Sequence, residues 1–312
     1  MIRLGLTLGD PRGIGPEIVA KALSDPRIAA LGASRDGRSP VRWRVVGPRG
    51  AGVAVHDDLG DWSPSGDRAI DAAVGGRFAG QAVEAAARLA LAGELDGIVT
   101  APLDKAALKA GGYDYPGHTE MLAALAGVPV AMMLASDRLR VVLATTHIAL
   151  RDVPAAVTRE ALEQAFVTTR DGLVRDFGIV SPRIALCALN PHAGDQGRFG
   201  HEDDDLLAPV ARECGMHGPF PADTVFVRAM CGEFDAVIAP YHDVGMTAIK
   251  VASFGSAVNV TLGLPFVRTS PDHGTALDIA GQGVASAESL ILAMQLAVDM
   301  VGRRAAGQVA VR

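Results

Sequence analysis

The sequence predicts an α/β protein with a largely parallel sheet, and three observations carry the prediction. Short apolar runs rich in β-branched residues alternate with amphipathic stretches along the whole chain. Hydrophobic residues make up 49% of 312 residues and mean hydropathy is +0.25, enough for a sizeable core in two lobes or one large α/β unit. The unusual polar residues fall just after the apolar runs, at strand carboxyl ends, where open α/β sheets bind ligands.

Each element follows from its local pattern. Strand-length apolar runs lie over Leu4 to Leu8, Arg42 to Val46, Gly97 to Thr100, Ala131 to Ala135, Arg140 to Ala144, Ile184 to Leu189, Ala236 to Ala239 and Ala257 to Thr261. Between them, apolar residues spaced by three and four predict helices over Gly80 to Leu91, Arg159 to Phe177, Asp223 to Met230 and Ser286 to Val301. Pro16 suits a helix's first turn, and Gly117-His118-Thr119-Glu120 opens another helix. The stretch from Ala33 to Arg68, rich in Gly, Ser, Asp and Pro, reads as a loop or flap.

Composition removes several function classes. No uninterrupted apolar run reaches the roughly 18 residues of a membrane span, and MIRLGLTLGDPRG runs straight into a strand and loop without a signal-peptide pattern. A soluble, cytoplasmic protein with no membrane partner is expected. A net charge of -6 without a basic run excludes a nucleic-acid partner, because phosphate-backbone binding needs clustered Lys or Arg. Cys187, Cys214 and Cys231 lack CxxC spacing and are expected as buried thiols. Lysine stands only at 21, 105, 109 and 250 among 29 basic residues. Either Lys is kept where a compact ammonium matters, or the rest is genomic bias toward Arg.

The candidate functional residues sit at the predicted strand ends. Gly9 to Glu17 (GDPRGIGPE) reads either as backbone N–H groups facing an anion or as a plain strand-to-helix turn, and matches neither GxGxxG nor a P-loop. Thr119 reads as an N-cap, or with His118 as part of a phosphate or carboxylate receptor. His147, His192 and His242 each follow an apolar run by a few residues. Three imidazoles from strand ends can hold one divalent cation and leave positions open for substrate. Ordinary hydrogen-bonded histidines fit the same spacing. Lys250 and Arg268 offer charge and a bidentate fork to an anionic substrate, or salt-bridge at the surface. Asn259 and Arg268 lie against the apolar AVNVTLGLPFV, where an unpaired polar group would be costly. Asp272 and His273 read as stabilising a helix start beside a cofactor, and the acidic run Glu202 to Asp205 as favouring a helix N-terminus.

In this order, GDPRGIGPEI, TAPLDK, GHTE, TTHIALRDV, LNPHAGDQGRFG, GPFPADTVF, YHDVGMTAIK, AVNVTLGLPFVRTS and DHGTALDIAG closely resemble the motifs of the 4-hydroxythreonine-4-phosphate dehydrogenase family of vitamin B6 biosynthesis. The resemblance spans Gly9 to about Gly283. It implies an isocitrate/isopropylmalate-dehydrogenase-like two-lobed α/β fold with an interlobe cleft. Residues 1–127 and 268–312 would form a nucleotide-side lobe, and 128–267 a lobe carrying metal ligands and the dimer contact. It further implies a homodimer with the active site near the subunit interface, and NAD or NADP bound without a Rossmann fingerprint.

Carried over residue by residue, the resemblance places a divalent metal (Zn, Mg or Co) on His147, His192 and His242, shared between subunits. It places a small phosphorylated hydroxy acid on His118, Thr119, Lys250, Asn259 and Arg268. The implied reaction oxidises the secondary alcohol of 4-phosphohydroxy-L-threonine to a 3-keto acid, which decarboxylates to 3-amino-2-oxopropyl phosphate. Lys105, Lys250, Asp104 and Asp243 are unranked candidates for the proton acceptor. Two positions depart from the family pattern: Val244 replaces an amide beside His242, and Arg12 stands where a small residue is common. Related substrates therefore stay open, namely D-threonate or D-erythronate 4-phosphate and cis-dihydrodiols, as does a metal-dependent lyase or hydrolase.

Overall fold

The computed structural model describes residues 1–32 and 39–310. The chain divides into two compact units, Met1–Val128 with Leu264–Arg312, and Pro129–Gly263.

The first unit opens with β1 (Ile2–Thr7), buried at every position but Arg3, as a strand covered on both faces must be. α1 (Gly15–Ser24) has Pro16 in its first turn, and α2 (Pro26–Leu31) is capped by Asp25, which accepts the Arg27 N–H at 2.8 Å. β2 (Val41–Arg49) and β3 (Asp57–Asp61) follow. The expected loop or flap from Ala33 to Arg68 therefore contains two strands, and its residues 33–38 lie outside the described residues. Charge concealed β3: in DDLGD, Asp57 and Asp61 pair with Arg44 and Arg49 of β2, so no apolar alternation is written there. α3 (Arg68–Leu91), β4 (Gly97–Thr100), α4 (Lys105–Ala110) and α5 (His118–Ala126) complete the segment. α3 begins well before the expected Gly80 because Gly76 lies inside it, where a Cβ would collide with the Ala107 carbonyl of α4. The glycine that weakens the helical signal is what lets the two helices touch.

The second unit runs β5 (Ala131–Ala135), β6 (Arg140–Leu143), α6 (Val153–Ala156), α7 (Arg159–Phe177), β7 (Ile184–Cys187), α8 (Ala208–Cys214), β8 (His217–Phe220), α9 (Ala222–Met230), β9 (Ala236–Ala239), α10 (His242–Ser253) and β10 (Val258–Leu262). The α7 boundaries are set chemically: Thr158 caps it by accepting the Ala161 N–H at 3.2 Å, and Gly178 ends it in the left-handed conformation. Leu134, Val141, Ala185, Phe226, Val237 and Ile249 meet in this unit's core.

The chain returns to the first unit for β11 (Val267–Pro271) and α11 (Glu288–Ala310). Within the first unit the strand order is β3-β2-β1-β4-β11, parallel throughout. Within the second it is β10-β5-β6-β9-β7-β8, with β5 antiparallel to both neighbours and the rest parallel. The largely parallel α/β architecture is thus as the sequence predicts. β11 has no apolar pattern because its polar residues are satisfied inside; the Thr269 hydroxyl donates to the Ala293 carbonyl at 2.8 Å. Of the three free thiols only Cys187 is fully buried, and burial pushes it up to about 12; Cys214 is half-buried and Cys231 exposed, against the expectation of three buried thiols. Among the described residues no helix is long and apolar enough to cross a membrane.

Candidate active site

In the first unit, β4 and β11 lie side by side and set Thr100 against Arg268. Arg268 is 1% exposed, and its Nη2 donates to the Thr100 hydroxyl at 2.8 Å. Burial lowers its pKa to about 10, opposed by the nearby Glu120 carboxylate, so the guanidinium remains charged. His118 is the first residue of α5, and its Nε2 is shielded from solvent without a hydrogen-bond partner. Burial, then the positive charges of Arg268 and Lys105, hold its pKa well below 6.5, so the imidazole is neutral. Lys105 approaches from α4: its Cε lies 3.8 Å from where a Gly117 Cβ would stand. Gly117, not Thr119, caps α5, which decides against the capping role for Thr119 and leaves it in the first turn. A buried guanidinium, an uncommitted imidazole nitrogen, an ammonium and a helix start together form a receptor for an anion.

In the second unit, β6 and β9 run parallel and deliver two histidines to one place. Ala144 N–H donates to the Ala239 carbonyl at 2.9 Å and the buried Thr145 hydroxyl to the Pro240 carbonyl at 2.7 Å. Those bonds tie the loops beyond both strands, and the His147 and His242 ring centroids stand 5.5 Å apart. His242 Nδ1 lies 2.7 Å from the Asp243 carboxylate, an acceptor that favours the proton on Nδ1 and so leaves Nε2 with the lone pair in the neutral ring. His192 lines a neighbouring cleft of about 310 Å³ with Asn190, Asp223 and Val244, sharing Tyr241 with the smaller cleft that holds His147 and His242. Among the described residues of the single chain, no three His, Cys, Asp or Glu side chains form a ligand-ready group. Two imidazoles fit one side of a divalent cation's shell, and a third donor must be added to complete it.

The His192 loop is strained and clamped. His192, Ala193, Asp195 and Gln196 all have positive φ, between 46° and 59°, a region unfavourable for side chains with a Cβ. Asp203, fully buried, accepts the backbone N–H groups of Leu189 at 2.8 Å and Asn190 at 2.9 Å, while the Asn190 amide donates to Glu202 at 2.8 Å. The acidic run does open a helical turn, Asp203–Leu207, with Asp203, Asp204 and Asp205 in its first turn, and two of its members, Glu202 and Asp203, also brace the histidine loop. The brace's signal in the sequence is an acid thirteen residues after a strand-end Asn, which no local pattern distinguishes from a helix start.

A larger cleft of about 670 Å³ lies in the first unit, between Arg12, Glu17, Trp62, Arg68, Leu277 and Gly281. Its size and mixed lining suit an extended organic ligand. Arg12 is held in its wall by the fully buried Asp10, with Nε–Oδ1 at 3.0 Å and Nη2–Oδ2 at 2.6 Å. No helix starts at Asp272 or His273; residues 272–287 are an irregular strap ahead of α11, and His273 Nδ1 lies 3.0 Å from the Gly274 carbonyl. Lys250 is exposed near the end of α10, and Asn259 on β10 is half-buried with its carbonyl oxygen shielded and without a hydrogen-bond partner. Of the four candidate proton acceptors, Asp104 caps α4 by accepting the Ala107 N–H at 2.7 Å and Asp243 is engaged by His242.

The fold is shared with solved dehydrogenase structures. An isocitrate dehydrogenase from Methylococcus capsulatus superposes with a TM-score of 0.55 at 18% identity, covering 99% of this chain and 88% of that one, a likeness of fold alone. The match to the model of the family described as "Pyridoxal phosphate biosynthetic protein PdxA" spans residues 63–297, and the chain belongs to that family. A 4-hydroxythreonine-4-phosphate dehydrogenase from Paracoccus denitrificans is 44% identical over 96% of this chain and 98% of its own. A protein from Bradyrhizobium diazoefficiens provisionally named D-threonate 4-phosphate dehydrogenase is 43% identical over 97% of each. The crystal structure of a 4-hydroxythreonine-4-phosphate dehydrogenase from Burkholderia phymatum matches with a TM-score of 0.77 at 37% identity, over 96% of this chain and 98% of that one.

Proposed function

We propose that this protein is a divalent-metal-dependent, NAD(P)-linked dehydrogenase that oxidises the secondary alcohol of 4-phosphohydroxy-L-threonine. The ketone is a β-keto acid and loses carbon dioxide to give 3-amino-2-oxopropyl phosphate, in pyridoxal phosphate biosynthesis. The observation that carries the reading is the solvent-shielded Arg268–Thr100 pair beside the uncommitted Nε2 of His118, a receptor for a negatively charged group. The names of relatives above 40% identity over nearly the whole chain supply the substrate.

His118, Thr119 and Arg268 would bind the substrate's anionic end, with Lys250 and Asn259 contributing further substrate contacts. A neutral His118 donates or accepts one hydrogen bond without adding charge, while Arg268 supplies the charge from a position that water does not screen. His147, His192 and His242 would hold the metal, with ligands shared between two chains; among the described residues of one chain His147 and His242 pair, and no group of three such side chains forms. Once bound, Zn, Mg or Co would act as a Lewis acid toward the alcohol oxygen. NAD(P)+ would accept the hydride from the cleft of the first unit lined by Arg12, Trp62, Arg68 and the strap 272–287. Pairing of two chains would also cover the second unit's exposed Leu150 (69%), Val251 (66%) and Phe254 (93%).

One specific observation keeps a second reading: Val244 lines the His192 cleft where the family pattern has an amide, and the Bradyrhizobium relative is named for D-threonate 4-phosphate. Absorbance at 340 nm with NAD+ or NADP+, each metal in turn, and 4-phosphohydroxy-L-threonine, D-threonate 4-phosphate, D-erythronate 4-phosphate and a cis-dihydrodiol separates the two. The highest kcat/KM is expected for 4-phosphohydroxy-L-threonine. A clear preference for another substrate transfers the assignment to it, and no reduced nicotinamide under any condition defeats the dehydrogenase reading in favour of a lyase or hydrolase.

A further inference from the structure

Glu17 and Lys21 form an ordinary i,i+4 pair along α1, with Nζ–Oε1 at 2.8 Å, but most of their bonds leave the helix. Lys21 Nζ also donates to the Gly283 carbonyl at 2.8 Å and the Ala285 carbonyl at 2.6 Å. The Glu17 carboxylate accepts the Gly283 N–H at 3.2 Å and the Ala285 N–H at 2.8 Å. Both backbone N–H groups and both carbonyls of Gly283 and Ala285 are thus held by two side chains from one turn of α1. The clasp has neighbours on either side: the Ile14 N–H donates to the Thr275 carbonyl at 2.9 Å, and Arg27 holds Glu288 through Nη2–Oε2 at 2.7 Å. Between these ties the strap is bonded only locally, as in Gln282 Nε2 to the Asp278 carbonyl at 2.8 Å.

Leu277, Ala280, Gly281 and Gly283 of the strap face the 670 Å³ cleft, so the height at which Gly283 is held sets the position of that wall. We propose that Glu17 and Lys21 are positioning residues for the dinucleotide, fixing the strap as a preformed wall of its cleft. The inference rests on reading that cleft as the NAD(P) site. Neither residue needs to touch the reacting atoms; the effect is to order the strap before ligand arrives, so that ordering is not charged against binding. The four backbone groups it satisfies, not burial, distinguish this ion pair from the weak surface pairs elsewhere on the chain.

Lys21→Met keeps the aliphatic stem and removes the three donated bonds; Glu17→Gln keeps one acceptor oxygen for the strap N–H groups, replaces the other with an amide donor and removes the charge. Calorimetric titration with NAD+ or NADP+ is expected to show Kd raised about tenfold in Lys21→Met and less in Glu17→Gln, with kcat of Lys21→Met at saturating dinucleotide within about twofold of wild type. Hydrogen exchange without dinucleotide should speed up at Gly283 and Ala285 and stay unchanged through the interior of α1. Unchanged Kd in both variants, or exchange that accelerates along α1 and leaves the strap protected, overturns the clasp. Wild-type protein that binds neither NAD+ nor NADP+ overturns the cofactor reading itself, an outcome distinct from variants that bind as wild type does. If Lys21→Met fails to fold, Glu17→Gln carries the same comparison.

Discussion

Replacing Asp203 tests whether the histidine loop is held from below. The carboxylate is fully buried and accepts two backbone N–H groups, from Leu189 at 2.8 Å and Asn190 at 2.9 Å. Hydrogen bonds to a charged group contribute about 1.5–3 kcal/mol each, so Asp203→Ala, which leaves both donors unpaired, should cost about 3 kcal/mol or somewhat more. With an unfolding entropy of roughly 2 cal/mol/K per residue, a chain of 312 residues should then lose about 5 °C in Tm. Asp203→Asn retains one acceptor and should cost about half as much. The functional loss should be larger than the thermal one, because four residues with positive φ around His192 relax once the brace is gone. Loss of a support behind a metal ligand typically lowers activity about 10–100-fold. Thermal melts followed by circular dichroism, with kcat/KM at 340 nm, measure both. An Asp203→Ala variant with wild-type Tm and wild-type kcat/KM would show that the carboxylate is not the brace.

Three further outcomes are expected. Arg268→Met should raise the substrate KM so that kcat/KM falls about hundredfold, while Tm stays level or rises because a buried charge is replaced by an apolar side chain; an unchanged KM places Arg268 outside the binding site. His192→Ala should abolish turnover with the fold intact, since the side chain is exposed and not a core contact, and near-normal activity at full metal content refutes its role as a ligand. The lowered His118 pKa means that the folded protein binds fewer protons there than the unfolded chain. Its stabilising contribution is full above pH 6.5 and is lost as pH falls from there toward the folded value. Urea midpoints between pH 5 and 7.5 should therefore slope less steeply in His118→Gln than in wild type; parallel slopes contradict the assignment.

What the sequence made legible is what periodicity and caps encode. Ala131–Ala135, Ala236–Ala239 and Arg159–Phe177 fall on their predicted boundaries because apolar runs, a Thr158 cap and a terminal Gly178 are local signals. β11 was not legible: Val-Arg-Thr-Ser-Pro has no apolar pattern, and distant residues such as Thr100 and Ala293 make its polar residues tolerable inside. The front of α3 was hidden for a related reason, as Gly76 obeys the crossing of α4 and not helix propensity. At the site, each histidine was visible as a strand-end residue, and Asp243, which fixes His242, is its neighbour in sequence, but the residues that hold the His192 loop and the strap were not. Asp203 acts on a loop thirteen residues earlier, and Glu17 and Lys21 act on a strap more than 260 residues later, distances that no local pattern spans. Their spacing alone reads as helix-start acids and a helix-stabilising pair.

Hydride transfer from the alcohol carbon is followed most directly with 4-phosphohydroxy-L-threonine deuterated at the carbon bearing the secondary hydroxyl. Incubated with protein, NAD(P)+ and a divalent metal, it should yield reduced nicotinamide carrying one deuterium by mass spectrometry. Reduced nicotinamide free of deuterium, or substrate consumed without any reduced nicotinamide, would contradict the account.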